Sequence, residues 1–116
     1  MLEIDLRGKT AFIVGIGDDQ GFGWSIAKKI AEAGGKIIIG TWVPIWKIFK
    51  NQWDGKKLDN SRKLSNGDLF QCEKIYPIDA SFDTMDEVPQ EIRNNKRYIE
   101  HNDFAISDVA KLVEKD

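Results

Sequence analysis

Soft metal ligands are nearly missing from this chain, which holds one cysteine, Cys72, and one histidine, His101, in 116 residues. A lone cysteine makes no internal disulfide, so a reducing, cytoplasmic setting is expected, with Cys72 as a small, partly buried hydrophobe. Without a Cys/His cluster a structural zinc site is excluded, and no metal is expected. His101 lies in a polar segment (EHND) and reads as a surface loop residue. An excess of basic charge is also missing: 17 Lys and Arg face 19 Asp and Glu, for a formal net charge of -2. That balance leaves nothing to neutralise a phosphate backbone, so nucleic acid is not an expected partner. The apolar runs fall far short of the roughly 18 residues that a membrane span needs. The N-terminal MLEIDLRGK has neither a long apolar core nor a small-residue cleavage site, so neither a secretory signal nor a transit peptide is expected there.

What the chain does contain suits one small globular domain, with 41% hydrophobic and 31% charged residues. A short apolar run over 9–16 predicts a strand buried on both faces, as in a parallel sheet. Residues 24–33 predict a helix, with Ile26, Ala27, Ile30 and Ala31 on one face and Gly34-Gly35 as its stop. KIIIG over 36–40 predicts a second strand, completing a strand–helix–strand unit with a right-handed crossover. Pro44 opens a short helix over 44–49. The stretch 52–68 is rich in Gly, Asn, Asp, Ser and Lys and reads as an exposed loop, part of an insertion at about 43–70. Residues 73–78 predict a third strand, with Pro77 suited to its end. One short helix is expected within 81–98. Ile106, Val109, Ala110 and Val113 then mark a last amphipathic helix, capped by Ser107 or Asp103. The fold class is α/β, a Rossmann-like three-layer arrangement with parallel strands in the order 3-2-1. A fourth strand would follow the last helix and pair with the free side of the first. The expectation is therefore that residues 1–116 form the N-terminal part of a nucleotide-binding domain in a larger enzyme.

The first strand runs into GIGDDQGFG and then a helix, with glycines at 15, 17, 21 and 23. Such a turn presents backbone N–H groups and the positive end of a helix dipole to a diphosphate. Glycine is required where a Cβ would block that approach. Gln20 stands where the common dinucleotide fingerprint has its third glycine, and no G-K-[ST] ending marks a P-loop. The second strand ends in Gly40-Thr41-Trp42, without the acidic residue that usually bonds a ribose. Trp42 is placed to lie against an adenine face, or else to pack on Ile45, Trp46 and Phe49 of the insertion. Asp79, at the tip of the third strand, is placed to accept a hydrogen bond from the adenine amino group, with the Ala80 N–H bonding a ring nitrogen and Ser81 nearby. The alternative for Asp79 is to cap the following turn. Asp18 and Asp19 are expected to point outward or brace the loop.

Three stretches, VGIGDDQGFGWSIAKKIAEAGG, IIIGTWVPIWKIF and YPIDASFDTMDEVPQEIRNNKRY, resemble the enoyl-acyl-carrier-protein reductases of the plant, apicomplexan and chlamydial kind, within the short-chain dehydrogenase/reductase superfamily. The likeness runs from about residue 4 to the C-terminus. It implies NADH-dependent reduction of a trans-2-enoyl-acyl-carrier protein to the saturated acyl form, in a homotetramer. It carries cofactor contacts to Gly15, Gly21, Phe22, Trp42, Asp79 and Ala80, beside which the loop and strand-tip reading adds Gly17 and Ser81 as cofactor-binding candidates. The family's catalytic Tyr and Lys, separated by six residues, find no match: Tyr98 is followed at that spacing by Ala105, and Tyr76 falls within a strand. No catalytic residue is assigned, and the 116 residues alone are expected to be inactive. Another short-chain dehydrogenase/reductase, or a non-catalytic nucleotide-binding module, is the alternative.

Overall fold

The computed structural model describes residues 4–115. Of the N-terminal segment read for a leader, residues 1–3 therefore lie outside the described residues.

Three strands, β1 (Thr10–Val14), β2 (Lys36–Trp42) and β3 (Lys74–Ile78), form one parallel sheet in the order β1-β2-β3. Thr10 to Val14 face Lys36 to Gly40, and Ile38 to Trp42 face Lys74 to Ile78. This is the 3-2-1 order expected of the Rossmann-like class. Strand β2 is buried from Ile37 to Thr41, as a strand covered on both faces must be. It extends two residues beyond the expected KIIIG, because Thr41 and Trp42 still pair with β3. Pro77 sits inside β3, which is tolerated because β3 is an outer strand whose free side needs no donor. Strand β1 is the other outer strand, and its last residue, Val14, is 46% exposed.

Alternation along β2 decides which layer each helix joins. Ile37 and Ile39 point to a core with Trp24 and Ala27 of α1 (Phe22–Glu32) and Phe49 and Trp53 of α2 (Val43–Asp54). Ile38 points the other way, to Tyr76, Ile78 and Val109 of α5 (Ile106–Lys115). Helix α1 ends as the paired glycines predict: Gly34 adopts φ 92°, and the Gly35 N–H reaches the Ile30 carbonyl at 3.0 Å.

The segment expected as an exposed loop over 52–68 is structured. Helix α2 continues to Asp54, five residues past the expected end, and a short α3 (Asp59–Arg62) follows. Trp53 lies one helical turn beyond Phe49 and joins the same aromatic cluster, with Trp24 and Phe70 5.8 and 5.4 Å from it. Leu58 and Arg62 are buried as well. The Arg62 guanidinium lies 4.1 Å from the Trp53 ring centroid, while its Nε–H donates to the Phe70 carbonyl and NH1 to Asp59. One buried residue per turn, spaced among Gly, Lys and Asn, is too sparse to show as periodicity.

Beyond β3 the chain forms a 3-10 turn (Met85–Glu87), α4 (Gln90–Arg93) and then α5. The one short helix expected within 81–98 is α4, which Pro89 precedes. Helix α5 starts at Ile106, so Ser107 lies inside its first turn rather than at the cap.

Phe49 is fully buried and Ile48, its neighbour, is 59% exposed. Phe49→Ala should therefore cost about 3–5 kcal/mol in urea unfolding, whereas Ile48→Ala should stay within about 0.5 kcal/mol. Equal effects would show that α2 does not pack on the sheet as described.

Candidate nucleotide-binding site

Parallel strands place the ends of β1, β2 and β3 on one rim, and the glycine turn leaves the sheet there. Gly15 takes φ 98°, a conformation that side chains rarely adopt, and its N–H bonds the Gly40 carbonyl at 2.9 Å. The remaining loop glycines fall into two kinds. A Cβ on Gly17 would run into the Ile45 side chain of α2, and one on Gly23 would come within 2.8 Å of Ile16 Cγ1. Those two permit close packing. A Cβ on Gly15 would meet nothing within 4 Å, and one on Gly21 would meet only Asp18 Oδ1 at 3.9 Å. Those two leave open space in front of the helix.

Helix α1 begins behind that space. Its N-cap is Gly21, in extended conformation, with no side-chain capping bond and no acidic residue in the first turn. The first N–H groups of an α-helix have no partner within the helix. Here no capping side chain substitutes for one, and no acidic residue of the first turn answers the dipole's positive end. A diphosphate supplies both. The residues present therefore fit such a group, since the volume a Cβ would fill at Gly21 is the volume a phosphate oxygen needs. Phe22 is 91% exposed, so it offers its backbone and an open ring face rather than a packed side chain.

The two acidic residues of the loop turn inward on the loop itself. Asp18 Oδ1 accepts the Gln20 N–H at 2.9 Å, and Asp19 accepts the Gln20 side-chain amide at 3.1 Å and the Ser61 hydroxyl. The Ser61 and Gln20 donors hold the Asp19 carboxyl below its ordinary range. They brace the loop, as expected, and Ser61 extends the brace to α3, a link that the sequence does not signal.

At the rim, Trp42 makes the last β2 pairing and is half exposed, while Trp46 bonds the Ile75 carbonyl and Phe49 enters the core. Asp79 follows β3 and is buried, with Ala80 and Ser81 exposed beside it. Asp79 Oδ1 accepts the Ser81 N–H at 3.0 Å and Oδ2 accepts the Tyr98 hydroxyl at 2.8 Å. The Trp42 side chain acts on both groups, lowering the pKa of Asp79 and opposing the rise at Tyr98. Trp42 and Asp79 thus lie at the ends of neighbouring strands, and Asp79 also caps its turn. Burial pushes the Asp79 carboxyl up, but the Ser81, Tyr98 and Trp42 donors together outweigh it and leave the group below its ordinary value. The Tyr98 hydroxyl moves to about 12, from burial and from the carboxylate it faces. Nothing in the spacing of NNKRYIEHND points to Tyr98; only the fold brings it to Asp79.

His101 is half-buried, edge-on to Trp46 at 5.2 Å, rather than a free surface residue, and burial lowers its pKa. Among the described residues, no group of three or more His, Cys, Asp and Glu is gathered as metal ligands, and no helix is long and apolar enough to cross a membrane.

No family model matches the chain. Among curated proteins, it is 48% identical over 115 residues to the rice protein named enoyl-[acyl-carrier-protein] reductase [NADH] 2, chloroplastic, and 47% identical over 115 residues to the Arabidopsis thaliana chloroplastic counterpart. The matches cover 99% of this chain. Among solved structures, the Plasmodium berghei enoyl-acyl-carrier-protein reductase with triclosan superposes with a TM-score of 0.90 at 34% identity, covering 93% of this chain. The resemblance read from the sequence holds: the chain is related to the enoyl-acyl-carrier-protein reductases. It spans 31% of the rice reductase's length and 38% of the Plasmodium chain. The Plasmodium reductase thus shares with it the three parallel strands and their flanking helices.

Burial raises the Cys72 thiol from 9.0 to about 11. Because only the thiolate is nucleophilic, iodoacetamide should alkylate Cys72 about 100-fold more slowly than an unperturbed thiol at pH 8. Urea should remove the difference. Fast labelling of the folded chain would contradict the burial described here.

Proposed function

We propose that this chain is the nucleotide-binding part of an NADH-dependent enoyl-acyl-carrier-protein reductase, which converts a trans-2-enoyl-acyl-carrier protein to the saturated acyl form in fatty-acid elongation. The observation that carries the reading is the uncapped N-terminus of α1 behind the open Gly15 and Gly21. Gly15, Gly21 and the first-turn amides from Phe22 onward would hold the diphosphate, and Gly17 would keep the loop close to α2. Trp42 would lie on the adenine face, and Asp79, Ala80 and Ser81 would meet its edge. When bound, the dinucleotide supplies a hydride for the β-carbon of the enoyl group. The names of the rice and Arabidopsis relatives, which specify NADH, support the choice of cofactor. The acyl-carrier-protein substrate and a homotetrameric assembly come with the same relationship. A cytoplasmic location is our inference from the lone cysteine; the plant relatives are named as chloroplastic.

Neither tyrosine has a lysine at the family's spacing, so we assign the 116 residues binding without turnover. The chain should not oxidise NADH in the presence of a trans-2-enoyl thioester, as followed at the absorbance of the reduced nicotinamide. Turnover would require a catalytic residue outside this reading.

The binding itself is tested by fluorescence titration with NADH. Only the adenosine and diphosphate contacts are present, so weak binding is expected, and Gly21→Val should abolish it. The space beside Gly21 lets that variant fold, as circular dichroism should verify. Tight binding that survives Gly21→Val would overturn the reading.

A further inference from the structure

Tyr98 has no place in the reductive chemistry, yet it is 8% exposed and its hydroxyl is committed to a charged group. Its ring stands edge-on to Phe104, 5.2 Å between centroids. The Phe104 carbonyl in turn accepts the Asp79 N–H at 2.8 Å. The segment after α4 therefore grips Asp79 twice, by its backbone through Phe104 and by its carboxylate through Tyr98. The Ser81 N–H fixes the other carboxylate oxygen.

We infer that Tyr98 is a positioning residue for nucleotide binding: its hydroxyl and the Ser81 N–H hold the Asp79 carboxylate in one orientation at the rim of β3, with an acceptor site left for an amino group on the ligand's base. This rests on the nucleotide reading above. An ionised carboxylate offers about four lone-pair sites. The two hydrogen bonds with defined geometry, from the Ser81 N–H to Oδ1 at 3.0 Å and from the Tyr98 hydroxyl to Oδ2 at 2.8 Å, occupy one site on each oxygen and leave each a further acceptor site. A carboxylate already fixed in place spares the ligand the cost of ordering it. The Tyr98 proton is retained at neutral pH, so the hydroxyl remains a donor and Asp79 remains an acceptor. The base recognised is one that carries an exocyclic amino donor, as adenine does.

Tyr98→Phe removes the hydroxyl and keeps the ring against Phe104. Dissociation constants are measured for NADH and for its reduced hypoxanthine analogue, in which a carbonyl replaces the amino group. The wild-type chain should prefer NADH. Tyr98→Phe should weaken NADH by about threefold to tenfold and leave the analogue unchanged, so that the preference shrinks. Equal weakening of both dinucleotides, or no change in either, overturns the positioning role while the wild-type preference keeps the nucleotide reading intact. Loss of that preference in the wild type, or no binding of either dinucleotide, overturns both. Should Tyr98→Phe not fold, proton NMR of the wild-type Tyr98 hydroxyl decides: a slowly exchanging, downfield-shifted proton is expected, and rapid exchange with water means that Tyr98 does not hold Asp79.

Discussion

Strand β2 meets water on neither face along its middle five residues, and that constraint organises everything else. A strand buried on both sides needs a helix layer above and below it, and Ile37, Ile39 and Ile38 assign α1, α2 and α5 to those layers. It also needs partners for every backbone donor and acceptor, which β1 and β3 supply in parallel register. Parallel pairing puts all three strand ends on one rim. The glycine turn, Trp42 and Asp79 come to the same rim because each stands at the end of a different strand of one sheet, although 64 positions separate Gly15 from Asp79.

The glycine loop is held by packing rather than by its own sequence. Gly17 and Gly23 let Ile45 and Ile16 close in, and the Asp19–Ser61 bond ties the loop to α3. Trp24, the third residue of α1, reaches the same element through the Ser61 carbonyl at 3.3 Å and stacks edge-on with Phe49, Trp53 and Phe70. The 43–70 segment thus acts as a buttress for the α1 N-terminus. A diphosphate site depends on amides that keep their direction, and aromatic packing a few residues away supplies that rigidity.

Charge at the rim is handled with similar economy. Asp18 and Asp19 are both engaged by local donors, Asp18 by the Gln20 N–H and Asp19 by the Gln20 side-chain amide and the Ser61 hydroxyl. Asp79 keeps its charge despite burial, because three donors compensate for the lost water. The outcome is a helix N-terminus without a side-chain cap and a carboxylate held by two hydrogen bonds, both at the C-terminal rim of the sheet.

Local pattern alone determined the strand–helix–strand unit, the Gly34-Gly35 stop, the parallel class and the glycine turn, because continuous apolar runs and paired glycines act within a few residues of themselves. The motifs also carried the relationship to the enoyl-acyl-carrier-protein reductases. Tertiary structure decided the rest. Whether Trp53 and Arg62 lie in a loop or under the core depends on Trp24 and Phe70, which are remote in sequence. Whether Tyr98 is a spare phenol or the clamp on Asp79 depends on how the segment after α4 folds back onto β3. A buried charge needs its donors in three dimensions, and no spacing along one chain segment records which donors those will be.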